Sequence, residues 1–270
     1  MVSGKDPNDK FSPNLGDWRL MFVGWITAID NVPLDDPKSY RGNTWFRDKT
    51  GNEVSFPTPS AAALHLNAAW KASKRAQAIK DGLMVNLFNA NGKPILQASE
   101  ERIPALFDYF EEMIAVAINS FGAIEAFCNQ TVVEKGGDEI KVLVKKKERV
   151  PKTPEEVERE HSTDEKLGRI VPDLLGMRTP RGMATWDTYL EIKRTRDAVT
   201  HFKRRDQTRH ADQSHEPTAL LALYQIDCFQ LPENTLKVLQ HFHPSGAEQR
   251  WMMNPAWKRD PPEAQPAQSN

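Results

Sequence analysis

The chain has 270 residues, enough for one large domain or two small ones with a full core. Charged residues make up 27 % and hydrophobic residues 39 %, a globular composition rather than a disordered or fibrous one. The formal net charge of −1 excludes a chain-wide nucleic-acid bias, so any phosphate-binding footprint has to be local. Cys128 and Cys228 both fall in apolar helical patterns, where a free thiol acts as a small hydrophobe. That usage predicts a reducing, cytoplasmic setting and argues against a disulfide framework. The first residues, Met1 to Asp6, are polar and unlike a signal peptide, and no apolar run reaches the roughly 18 residues of a membrane span.

In chain order, residues 1–15 read as a loose tail rich in Asp, Asn, Pro and Gly. Trp18 to Ile29 reads as a buried strand or short helix, followed by a turn-rich loop through Pro33, Asp35, Asp36 and Pro37. Asn43 to Phe56 suggests a hairpin around Asp48–Asn52. Thr58-Pro59 is expected to cap a helix that stops at Asp81-Gly82. A second hairpin crosses Asn91-Gly92 between Leu83 and Leu96. Residues 16–98 are therefore α+β in character, and no site chemistry stands out there.

Pro104 to Gln130 is the strongest helix, apolar over most of its girth, as suits the middle of a bundle or a subunit interface. Asn119, Ser120 and Glu125 interrupt it and are expected to be satisfied buried polar groups rather than to line a site. Gly136-Gly137 ends it, and Ile140 to Val144 is strand-like. Lys145 to Arg149 reads as a solvated charge run. Thr153-Pro154-Glu155-Glu156 forms a capping box, opening a mostly charged, exposed helix that reaches about Ile170. Pro172 to Gly182 is expected to be a loop.

A helix from about Ala184 to Arg205 carries the chemistry. Its Arg196-Asp197-Ala198-Val199-Thr200-His201 has the form R-D-x-x-x-H. At 100° per residue Ile192, Thr195, Val199 and Phe202 share one side, suited to burial. Arg196 and His201 flank the opposite face, with Lys193, Asp197, Thr200 and Arg204 between them. From Lys193 to Arg209 there are seven basic residues and two acidic ones, the one concentrated basic feature on a helix, with the sign that a phosphate backbone needs. Arg205 to His210 repeats the pattern without an apolar face. Pro217 starts another apolar helix that Pro232 breaks or kinks. Trp251, Met252 and Trp257 lie in a docking segment, 246–270, whose end is Pro- and Gln-rich. His210, His215, His241 and His243 lack the cysteine pairs or carboxylate of a zinc site, so no metal and no cofactor is expected.

The R-D-x-x-x-H run is similar to the R-x4-6-H signature of the HEPN family, and Ser120 to Asn129 resembles the long early helix of those bundles. The resemblance covers roughly residues 100–243. It implies a mainly α, HEPN-like helical bundle over 99–245, preceded by the smaller α+β region. It also implies a metal-independent endoribonuclease of toxin–antitoxin or phage-defence type, acting on RNA as a homodimer under an antitoxin or sensor protein. In that reading His201 is the general acid/base, Arg196 binds phosphate and Asp197 positions them. Lys193, Thr200 and Arg204 bind substrate. The competing expectation is a non-catalytic scaffold or RNA-binding module, with Arg196 and His201 tying helices together.

Overall fold

The computed structural model describes residues 19, 23–29, 32–41, 43–88, 92, 94–144, 148–203, 206, 218–243 and 250–253. Two compact units divide the chain, one over Met1–Pro59 with Ala247–Asn270, the other over Ser60–Gly246. The fold is mainly helical, with small antiparallel strand pairs.

The first unit is built from hairpins. β1 (Val23–Ile29) pairs with β2 (Val32–Arg41). The residues expected to form a loop there, Pro33 to Pro37, lie within β2 instead. The turn chemistry still acts. Pro33 faces Ala28 and Lys38 faces Ile26, so the residues between them have no partner and bulge out of the ladder. β3 (Asn43–Arg47) and β4 (Glu53–Pro57) pair in the expected hairpin. Asp48 Oδ1 accepts from the backbone N–H of Thr50 and of Asn52, each at 2.9 Å, and Gly51 at φ +89° closes the turn. In the 3-10 turn Arg250–Met253, Trp251 and Met252 are buried, while Trp257 lies outside the described residues.

The second unit is a bundle around one helix. α1 (Ala61–Lys80) is capped by Ser60, two residues beyond the expected Thr58. Thr58 is diverted, its hydroxyl bonding that of Thr44 at 2.8 Å. Ser60 Oγ is fully buried and accepts from Ala63 N at 3.3 Å. Ser60→Ala should therefore cost about 1 kcal/mol of stability, read as a lower urea midpoint with unchanged slope. β5 (Met84–Phe88) and β6 (Pro94–Ala98) form the second hairpin.

α2 (Ile103–Lys135) stops at Gly136, the expected glycine stop. A Cβ on Gly136 would collide with Val132 O and the Ile140 side chain, so the chain turns there with no room for a larger residue. The helix is apolar over most of its girth because neighbours cover it on several sides: α1 along its length, then α6 (Ala184–Thr200), α7 (Ala219–Gln225) and α8 (Gln230–Gln240). Tyr109, Met113, Ile124 and Phe127 are fully or almost fully excluded from solvent, each contributing on the order of 2 kcal/mol. Arg75 of α1 clamps Glu112 of α2 in a bidentate pair at 2.6 and 2.8 Å. α1 therefore belongs with the bundle, although its sequence lies inside the α+β stretch.

After β7 (Ile140–Val144) a partner strand β8 (Glu148–Lys152) takes up part of the expected charge run, whose Lys145–Lys147 lie outside the described residues. The Thr153 capping box holds, and α3 (Pro154–Glu160) follows. The expected exposed helix to Ile170 does not. The chain breaks at His161 and restarts on a second capping box, Ser162 with Glu165. It then runs through α4 (Thr163–Glu165), one π-helical turn at Lys166–Ile170 and α5 (Val171–Leu175). Leu167, Ile170 and Val171 are buried there, so the segment is core rather than surface. It reaches into the residues expected to form a loop and ends at Gly176, φ +65°. Ile226–Phe229 separates α7 from α8, and Pro232 sits in the first turn of α8, where its missing N–H costs nothing.

Candidate functional site

α6 is shorter than the sequence suggests. Ile192 and Val199 are buried and Thr195 is half-buried, as the wheel requires, but the helix stops at Thr200 and Phe202 is exposed. His201 is its C-cap, with φ −129° and ψ 64°, and its N–H donates to Asp197 O at 3.1 Å. Beyond the helix, Asp206 takes over the backbone, accepting from Lys203 N and Ala219 N at 2.8 Å each. Arg204 and the second motif copy, Asp206 apart, lie outside the described residues.

Arg196 points at α2. Its guanidinium carbon stands 3.9 Å from the centre of the Phe121 ring, and its Nη1 is 3.0 Å from Asp197 Oδ1. The contact with the ring face is worth on the order of 1 kcal/mol. Its Nε is buried without an acceptor. Arg196 and its neighbour Asp197 thus form an ion pair. Thr200 turns its hydroxyl back to Arg196 O at 2.9 Å, which occupies its proton. His201 is exposed, and no hydrogen bond to its ring is present among the described residues.

Lys193 is committed elsewhere. Its Nζ donates to Asp164 Oδ2 at 2.6 Å, and the Tyr189 hydroxyl donates to Asp164 Oδ1. Burial alone would raise the Asp164 carboxyl. The bonds from Lys193 and Tyr189, with the Lys193 and Arg181 charges, hold it below its ordinary value of 3.8 instead. Burial and the Asp164 carboxylate push the Tyr189 phenol far up, so it stays a donor. The Tyr189 ring stacks on Phe121 at 6.3 Å and leans on Trp186 at 5.0 Å. Arg181 lies over the other end, 5.1 Å from Trp186 and donating to Asp164 O at 3.1 Å.

The face is therefore layered. Asp164, Tyr189 and Phe121 form a fixed under-layer that holds Lys193 and Arg196, and the imidazole of His201 stands free at the helix end. Asp164 and Phe121 carry no signal in the motif. Asp164 could have been found through Ser162-x-x-Glu165, a capping box that puts it in a first helical turn. Phe121 reads as one more core aromatic, and only the packing of α2 against α6 gives it a cation to hold.

Two polar expectations on α2 resolve differently. Asn119 donates to Ala115 O at 2.8 Å and meets His65 Nδ1 at 3.1 Å, while Glu125 is exposed. The Ser120 hydroxyl, fully buried, has no partner among the described residues, contrary to the expectation that it is satisfied. His241 and His243 meet Phe242 and Phe127 edge-on, with ring centres 5.1 and 5.5 Å apart, while His210 and His215 lie outside the described residues. Among the described residues no three His, Cys, Asp or Glu side chains converge as metal ligands, and no helix is long and apolar enough to cross a membrane. No protein-family model, curated protein or solved structure matches this chain.

Proposed function

We propose that the α6 face is the working surface of a metal-independent endoribonuclease of the HEPN type, serving in a toxin–antitoxin or phage-defence setting. The observation that carries this reading is the pairing of an anchored Arg196 with a solvent-exposed His201, five residues apart at one end of one helix. Cleavage by attack of the ribose 2′-hydroxyl needs a proton acceptor, a proton donor and a cation on the phosphate. One chain offers a single motif imidazole. A two-fold pair of chains places two, so that one takes the 2′-hydroxyl proton while the other protonates the leaving 5′-oxygen. Arg196, already held against Phe121, supplies the planar fork that phosphate oxygens match.

The test is RNA cleavage by the purified chain in EDTA, with the new 3′ ends analysed. The expected product carries a 2′,3′-cyclic phosphate, and specific activity falls on dilution as the pair dissociates. No cleavage of structured or single-stranded RNA under these conditions sinks the reading. One observation favours the scaffold alternative: Lys193, expected to bind substrate, already spends its charge on Asp164.

A further inference from the structure

We propose that the cleft between the β7–β8 hairpin and the segment formed by the π turn and α5 binds a small molecule with an oxyanion head on an apolar body. The cleft holds a cavity of about 210 Å³. That is below the roughly 300 Å³ at which pockets for drug-sized ligands begin, so the body is no larger than a single ring or a short chain. Ile140 and Val142 from the hairpin, with Ile170 and Leu174 from the helical side, form its apolar lining.

The head group is argued from Arg169. This side chain lines the cavity and is half-buried, and the Glu165 carboxylate is a countercharge within its reach. Its Nη2 is shut off from solvent with no acceptor. A guanidinium with one nitrogen sealed from water and given no acceptor is unusual, because the desolvation of that group is uncompensated. A ligand oxygen at the open edge of the same group meets its charge, and the planar fork suits phosphate or carboxylate alike. The rim agrees in sign. Lys141, Arg149 and Arg169 face Glu139 and Asp173, an excess of one cation. Arg149 and Asp173 sit 4.0 Å apart, both largely exposed, a loose pair that an incoming oxyanion displaces. The site is separate from α6 and owes nothing to the nuclease reading.

The full chain is titrated with phenyl phosphate, benzoate, inorganic phosphate and benzyl alcohol, following the methyl resonances of Ile140, Val142, Ile170 and Leu174. Phenyl phosphate or benzoate is expected to shift all four, and which of the two binds tighter identifies the head group. Benzyl alcohol and inorganic phosphate should each bind at least about tenfold more weakly. Arg169→Ala should weaken binding about tenfold with an unchanged circular dichroism spectrum. Arg149→Ala, an exposed change that preserves the fold, should weaken it about threefold. The proposal is overturned by methyls that do not move at millimolar ligand, which would mean a cavity holding water only. It is equally overturned by affinity unchanged in the folded variants, or by a neutral or body-free probe binding as tightly as the complete one.

Discussion

Replacing His201 with alanine is expected to lower the rate of RNA cleavage in EDTA by about 10² to 10⁴, the share of a reaction that a positioned acid/base supplies. Stability should change by no more than about 0.5 kcal/mol, because the ring is exposed and only its backbone N–H caps the helix. That contrast separates chemistry from architecture. If the imidazole instead tied helices together, the substitution would lower the melting temperature and leave any RNA affinity intact. Arg196→Lys is informative beside it. The ammonium keeps the charge but loses the contact with Phe121 and the two-pronged fork, so RNA affinity should fall less than cleavage rate. Equal losses in binding and rate would mean that Arg196 only attracts the RNA.

Tyr189→Ala carries the largest expected structural effect, about 3–5 kcal/mol, measured by urea unfolding. The ring is fully excluded from solvent, stacks on Phe121 and contacts Trp186, so its removal leaves a void beneath Arg196. It also strips Asp164 of a donor. Tyr189→Phe keeps the ring and should cost only about 1.5–3 kcal/mol, the share of a hydrogen bond to a charged group.

Acid should reproduce part of that loss, with a definite sign. The folded state holds the Asp164 carboxyl below 3.8, so its ionisation favours folding. This contribution is fully present above pH 3.8 and disappears as the pH falls through the lower, folded value. The stability gap between the wild type and Asp164→Asn should accordingly close in that window and stay constant through neutral pH. A gap that widens in acid would show that Lys193 and Tyr189 stabilise the neutral acid rather than the carboxylate.

Local rules were legible in the residues themselves. The Thr153 capping box, the Asp48–Asn52 turn, the glycine stop after α2 and the buried stripe of α6 each depend on neighbours within a few positions. Side-chain periodicity and backbone hydrogen bonding specify such features whatever the rest of the chain does. The ion pair of the neighbours Arg196 and Asp197 is local in the same sense. Contacts between distant segments were not legible. The placing of α1 on α2 and the burial of Leu167, Ile170 and Val171 in a segment that packs on α2 answer to partners far along the chain. So do the roles of Asp164 and Phe121. Asp164 meets Lys193 across 29 positions and Phe121 meets Arg196 across 75, and no periodic pattern encodes a meeting at that range. What the amino-acid order decided was which groups could act. Packing decided which were already spent, because a cation neutralised inside the fold has no charge left to offer a substrate.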